Sequence, residues 1–224
     1  MPVPLIEIKN LRVAYGVKTV LTDVNLTVYE RDFLGIVGPN GGGKTTLVRC
    51  ILGLLKPAAG EIVYHSGRGG VGVRRFAMGY LPQYSSIDRK FPITVEEAVL
   101  SGLSGRRPLV YRFTAADRAQ ARSVMVRMGL EGLGNRAIGS LSGGQLQRAL
   151  LGRAVISDPE VIVLDEPDTY MDRDSTTRLY DLLAEINRTC AVILVSHDAE
   201  AVSRLARSVA WVDGTLDYRT RAGG

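Results

Sequence analysis

Residues Gly38 to Thr46, Gly-Pro-Asn-Gly-Gly-Gly-Lys-Thr-Thr, have the composition and spacing of an anion cradle, with a glycine, four residues, then Gly-Lys-Thr. Gly38, Gly41, Gly42 and Gly43, with Pro39 and Asn40 between them, let successive backbone N–H groups turn inward around phosphate oxygens. Lys44 neutralises the β and γ oxygens, Thr45 offers a hydroxyl to Mg2+, and Thr46 belongs to the same helix N-terminus, which adds partial positive charge. The apolar run Phe33 to Val37 precedes the loop. Helical character from Thr45 to Leu55 follows, with Pro57 as the expected stop. Strand, loop and helix in that order make a triphosphate site.

A carboxylate pair lies further along. Val161-Ile162-Val163-Leu164 reads as a buried strand and ends in Asp165 and Glu166. Neighbouring residues at a strand end point to different sides. Asp165 can therefore face the Mg2+ shell while Glu166 faces the attacking water as general base. A third segment, Leu141-Ser142-Gly143-Gly144-Gln145, carries an S-x-x-Q capping box, so the N–H groups of a helix start lie beside two glycines. One chain with two cradles makes sense if the second closes on a nucleotide held by another copy.

The elements that must hold these groups are legible as well. Val24, Leu26 and Val28 alternate with Asn25, Thr27 and Tyr29, which predicts an antiparallel sheet with one wet face. Val161 to Leu164 and Ala191 to Val195 read as parallel strands, and the stripe Leu179, Leu182, Leu183, Ile186 between them reads as a helix, together a βαβ unit. From about 88 to 157 the Thr94–Glu97 capping box and the stripe Ala121, Val124, Met125, Met128 predict an all-helical insert. Ser66 to Gly72 reads as a turn between strands and Arg219 to Gly224 as a frayed end.

At 224 residues the chain suits one α/β domain with an elaboration. No window reaches the roughly 18 to 20 apolar residues of a spanning helix, and the start lacks the order of a signal peptide. Cys50 and Cys190 make no disulfide framework. A cytoplasmic protein is expected. The net charge of +5 suits an anionic ligand, a membrane surface or nucleic acid without choosing among them. The two histidines and two cysteines lack metal-ligand spacing, so no transition-metal site is expected.

The phosphate loop, Leu141 to Gln145, Leu164 to Asp172 and Ser196-His197-Asp198 stand in the order and approximate spacing of the ATP-binding-cassette ATPases, and the chain resembles that family over about residues 3 to 216. The resemblance implies a RecA-like P-loop NTPase core with an antiparallel β-subdomain (1–87 and 158–216), an inserted helical subdomain (88–157) and a tail (217–224). It implies that Tyr15 stacks on adenine, that Gln83 reaches Mg2+ and water, that His197 senses the γ-phosphate, and that Asp172 crosses a dimer interface. Two copies would clasp each ATP between one copy's loop and the other's Ser142 to Gln145. Glu166 then acts as base, Lys44 and His197 stabilise the transferring phosphoryl, and Thr45, Gln83 and Asp165 position Mg2+. The sequence departs from the family at Asp168-Thr169-Tyr170-Met171, where small residues are usual.

A cassette without a spanning helix implies separate transmembrane permease subunits, at the cytoplasmic face of a bacterial inner membrane, with an extracytoplasmic substrate-binding protein in the complex. Tyr84, Phe91, Leu103, Leu109, Val110, Tyr111 and Phe113 are candidates for an apolar surface that receives a permease helix, or for core. Gly79 to Gln83 and Phe91 to Leu100 resemble the ATPases of bacterial zinc and manganese importers. Iron-chelate import and a soluble cassette acting on ribosomes or nucleic acid are the alternatives, with no direct nucleic-acid binding expected. A phosphate-loop kinase would leave Ser142 to Gln145 and His197 unexplained.

Overall fold

A computed structural model describes residues 3–65, 77–83, 88–106, 112–169 and 171–220. The period-two pattern of the first residues forms the hairpin of β1 (Pro4–Tyr15) and β2 (Lys18–Tyr29), antiparallel with Ile6 opposite Val28 and Ile8 opposite Leu26. Val24, Leu26 and Val28 are buried, and Asn25 between them is exposed. β3 (Phe33–Val37) leaves this sheet, and β4 (Ala59–Tyr64) returns to pair with β1, giving the order β2-β1-β4.

The second sheet joins β3 to β5 (Met78–Leu81), β6 (Val161–Asp165), β7 (Ala191–Val195), β8 (Ser208–Asp213) and β9 (Thr215–Thr220). Its order is β5-β6-β7-β3-β8-β9, parallel through β8. β3, β6 and β7 are buried at every residue because apolar layers cover both faces. Ile162, Leu164, Val192 and Leu194 face a core shared with the helices, while Val161, Val163, Ile193 and Val195 face a core shared with β1 and β2.

Two expectations change, and one open choice is decided. The residues from 217 on, expected as a tail, include the end of β9, which pairs antiparallel with β8 along its length. The alternation of Leu216, Tyr218 and Thr220 with Asp217 and Arg219 suits an edge strand whose charges face water. Helix α1 (Lys44–Ile51) ends well before Pro57. Gly53 takes φ 69°, its N–H donates to Cys50 O (2.9 Å) and that of Leu54 to Arg49 O (2.8 Å), a Schellman stop that satisfies the last carbonyls. Leu103, a candidate for a permease surface, is buried in the core, and Phe113 packs partly buried against it, whereas Phe91 is 59% exposed. The candidates Tyr84, Leu109, Val110 and Tyr111 lie outside the described residues, as does the expected turn Ser66 to Gly72.

Between β5 and β6 the described segments are helical: α2 (Val95–Leu100), α3 (Ala115–Arg127) and α4 (Gly143–Val155), with 3-10 turns at Ser101–Arg106 and Ile138–Ser140. Capping boxes open all three helices, Thr94 with Glu97, Thr114 with Asp117 and Ser142 with Gln145. α5 (Arg173–Asn187) buries Leu179, Leu183 and Ile186 against the sheet, and α6 (Ala199–Leu205) follows β7. No helix among the described residues is long and apolar enough to cross a membrane.

Candidate active site

The phosphate loop sits at the carboxyl end of β3, where parallel strands present ligand-binding loops. Gly43 takes φ 104°, and a Cβ there would stand 2.6 Å from Leu21 Cδ2, so the loop lies directly against β2 and only glycine fits. A Cβ at Gly41 would meet nothing within 4 Å, which leaves that side of the loop open to a ligand. Lys44 is buried at 5% exposure, and its Nζ donates to Gly38 O (2.8 Å) and Pro39 O (3.0 Å). A buried ammonium needs such partners. The Lys44 charge is thus already inside the loop that would receive phosphates.

The carboxylate pair stands beside it. Asp165 is buried where the end of β6 meets the start of α1, and the Thr45 side chain there favours its charged form. Burial, and then the neighbouring Glu166 charge, raise the Asp165 pKa above the ordinary carboxylate range. A cation here would relieve both effects, and hydroxyl and carboxylate oxygens are the donors a hard dication such as Mg2+ takes.

Glu166 is not a simple continuation of strand alternation. It takes φ 48°, in the left-handed region, while its N–H still donates to Val195 O (2.9 Å). This turn, costly for a non-glycine residue, directs the side chain toward Gln83, whose Nε2 donates to Glu166 Oε2 across 3.0 Å. Gln83 follows β5, and Arg153 of α4 braces that strand by donating to Tyr80 O (3.1 Å). His197 follows β7 and is exposed, next to the fully buried Ser196, whose N–H donates to Ile36 O (3.2 Å). Tyr15 is 46% exposed at the β1–β2 turn, an aromatic face on the hairpin whose Leu21 meets Gly43.

Ser142 to Gln145 and Asp172 form a second cluster. Ser142 Oγ accepts from Gln145 N (3.2 Å), and Gln145 Oε1 accepts from Ser142 N (3.0 Å). A Cβ at Gly144 would stand 2.6 Å from Ser175 Oγ, so α4 starts in close contact with α5. Asp172 caps α5, accepting from Ser175 N (2.8 Å) and Ser175 Oγ (2.9 Å). These bonds hold its carboxyl below the ordinary range. Arg89, which sequence reasoning missed, donates to Leu141 O (2.7 Å) and Gly139 O (3.1 Å) and fixes the approach to Ser142. No local pattern marks Arg89 or Arg153, because their partners lie 52 and 73 residues away.

Residues 21–169 match the ABC transporter family. The chain belongs to that family and is an ATP-binding, ATP-hydrolysing subunit of it. It is 37% identical over 210 residues to a Chlamydia pneumoniae protein named "Probable metal transport system ATP-binding protein", covering 93% of this chain and 86% of the relative. It is 34% identical over 208 residues to the zinc import ATP-binding protein ZnuC of Hydrogenovibrio crunogenus, covering 92% and 78%. A bacterial ABC transporter cassette solved as a dimer superposes with a TM-score of 0.82 at 26% identity, covering 98% of this chain and all of that one.

Proposed function

We propose that this chain is the ATP-hydrolysing subunit of a metal importer, with zinc or manganese as cargo moved through separate permease subunits. The observation that carries the catalytic part is the convergence of Lys44, the Thr45–Asp165 pair and the Gln83–Glu166 bond at the carboxyl ends of β3, β6 and β5. The cargo follows from the metal and zinc systems in the names of its relatives.

In this reading Lys44 exchanges its carbonyl partners at Gly38 and Pro39 for β and γ oxygens. The glycine N–H groups surround the phosphates, and Tyr15 stacks on the adenine. Thr45 and Asp165, with Gln83, would hold Mg2+, which would supply charge neutralisation at the transferring phosphoryl. Glu166 orients the attacking water and takes its proton; His197 meets the γ-phosphate. The exposed Ser142, with the N–H groups of α4, faces the nucleotide of a second copy, with Asp172 at the same interface. The γ-phosphate fills both cradles and its loss empties one, so hydrolysis opens the dimer. An extracytoplasmic substrate-binding protein delivers the metal to the permease.

Deletion of the gene, followed by elemental measurement of cellular zinc and manganese under limitation, tests this. Loss of accumulation of either metal, restored by the wild-type chain and not by Glu166→Gln, is expected. Unchanged zinc and manganese with loss of another cargo would overturn the metal assignment alone.

A further inference from the structure

The unusual loop between β6 and α5 has a specific partner. Tyr180 of α5 packs partly buried against the helical core, and its hydroxyl donates to Asp168 Oδ2 across 2.7 Å. The other oxygen of that carboxylate, Oδ1, and the Thr169 hydroxyl are shut off from solvent without a hydrogen-bond partner. Among the described residues, the phenol is therefore the donor that holds Asp168, and a half-buried carboxylate with one oxygen already shut off must shift toward water if it loses that donor. On either side of Asp168, Met171 N donates to Asp168 O (3.2 Å) and Thr169 N reaches Glu166 O at 3.5 Å. Only the buried Pro167 separates Asp168 from Glu166, which is already in the left-handed region and depends on its surroundings to stay there. Burial, the Asp168 bond, and the charges of Asp168 and of Asp198, the residue after His197, push the Tyr180 pKa upward. The phenol therefore remains a donor at neutral pH.

We infer that Tyr180 is a positioning residue for ATP hydrolysis: by holding Asp168 it fixes the turn that presents Glu166 to the attacking water. This rests on the reading of Glu166 as the base. Neither residue of the pair touches the nucleotide in this account, so the effect belongs on kcat and not on binding.

The test is steady-state ATPase of the purified chain, normalised to nucleotide-binding sites by titration, for wild type, Tyr180→Phe, Asp168→Asn, the double variant and Glu166→Gln. Tyr180→Phe is expected to lower kcat about tenfold, as a small misplacement of a catalytic group does, with KM for ATP held within about twofold. The double variant should cost no more than the worse single one, because both break the same contact. A merely structural contact would lower the melting temperature and the number of binding sites, leaving kcat per site unchanged; that result overturns the inference. So would additive losses in the double variant. Turnover surviving in Glu166→Gln would overturn the reading of Glu166, whereas an inactive Glu166→Gln beside a fully active Tyr180→Phe would overturn the Tyr180 inference alone.

Discussion

Gln83 Nε2 donates to Glu166 Oε2 across 3.0 Å, joining the end of β5 to the residue after β6. If Glu166 is the base proposed above, the Gln83 amide already holds one of its carboxylate oxygens. Gln83 also lies where the sheet runs into the helical segment, braced through Tyr80 by Arg153 of α4. Gln83→Ala should lower kcat about tenfold or more while ATP affinity changes by less than about threefold, measured by turnover and by nucleotide titration. A loss confined to affinity would place Gln83 in ground-state binding.

Gly144 permits the contact of α4 with α5, and its replacement is sterically specified. In Gly144→Ala the new methyl would meet Ser175 Oγ at 2.6 Å and Ser175 Cβ at 2.9 Å. Overpacking of this kind costs about 1 to 3 kcal/mol, or roughly 2 to 10 °C of melting temperature at this chain length. Gly144→Ala should cost much less in a Ser175→Gly background than in the wild type by thermal melt, because the clashing atoms are gone there, even though Ser175→Gly itself gives up the Oγ bond to Asp172 and places a glycine in α5.

The local parts of the site were legible in sequence for a physical reason: a phosphate loop and a capping box are each written within nine contiguous residues or fewer. Ser142 with Gln145 and Lys44 with its loop stand as their spacing implies. The box at Thr114 and Asp117 is harder to see, because an aspartate stands where the pattern has glutamate or glutamine, although the apolar stripe of α3 is plain. The left-handed turn at Glu166, the Gln83–Glu166 bond across 83 residues and the Tyr180–Asp168 bond depend on which elements become neighbours, information that no local spacing carries. β9 was missed because an edge strand with charges on its open face resembles a polar tail.

Asp172 gives a pH signature. Bonds from Ser175 hold its folded-state pKa below the ordinary 3.8, so its contribution is fully present above that value and is lost as pH falls through the depressed one. Asp172→Asn keeps a cap without the charge. The melting-temperature gap between wild type and Asp172→Asn should be constant from neutral pH down to the ordinary carboxylate range and narrow below it. A gap that stays constant at the lowest pH would show that the capping carboxylate does not titrate.

In the proposed cycle two copies clasp ATP between the Lys44 loop of one and the Ser142 cluster of the other. Light scattering on size-exclusion chromatography of Glu166→Gln, with ATP and Mg2+ and then with ADP and Mg2+, tests it most directly. A dimer in ATP, a monomer in ADP, and loss of the ATP dimer when Ser142→Arg blocks the second cradle are expected. A Glu166→Gln protein that binds ATP and remains monomeric would contradict it.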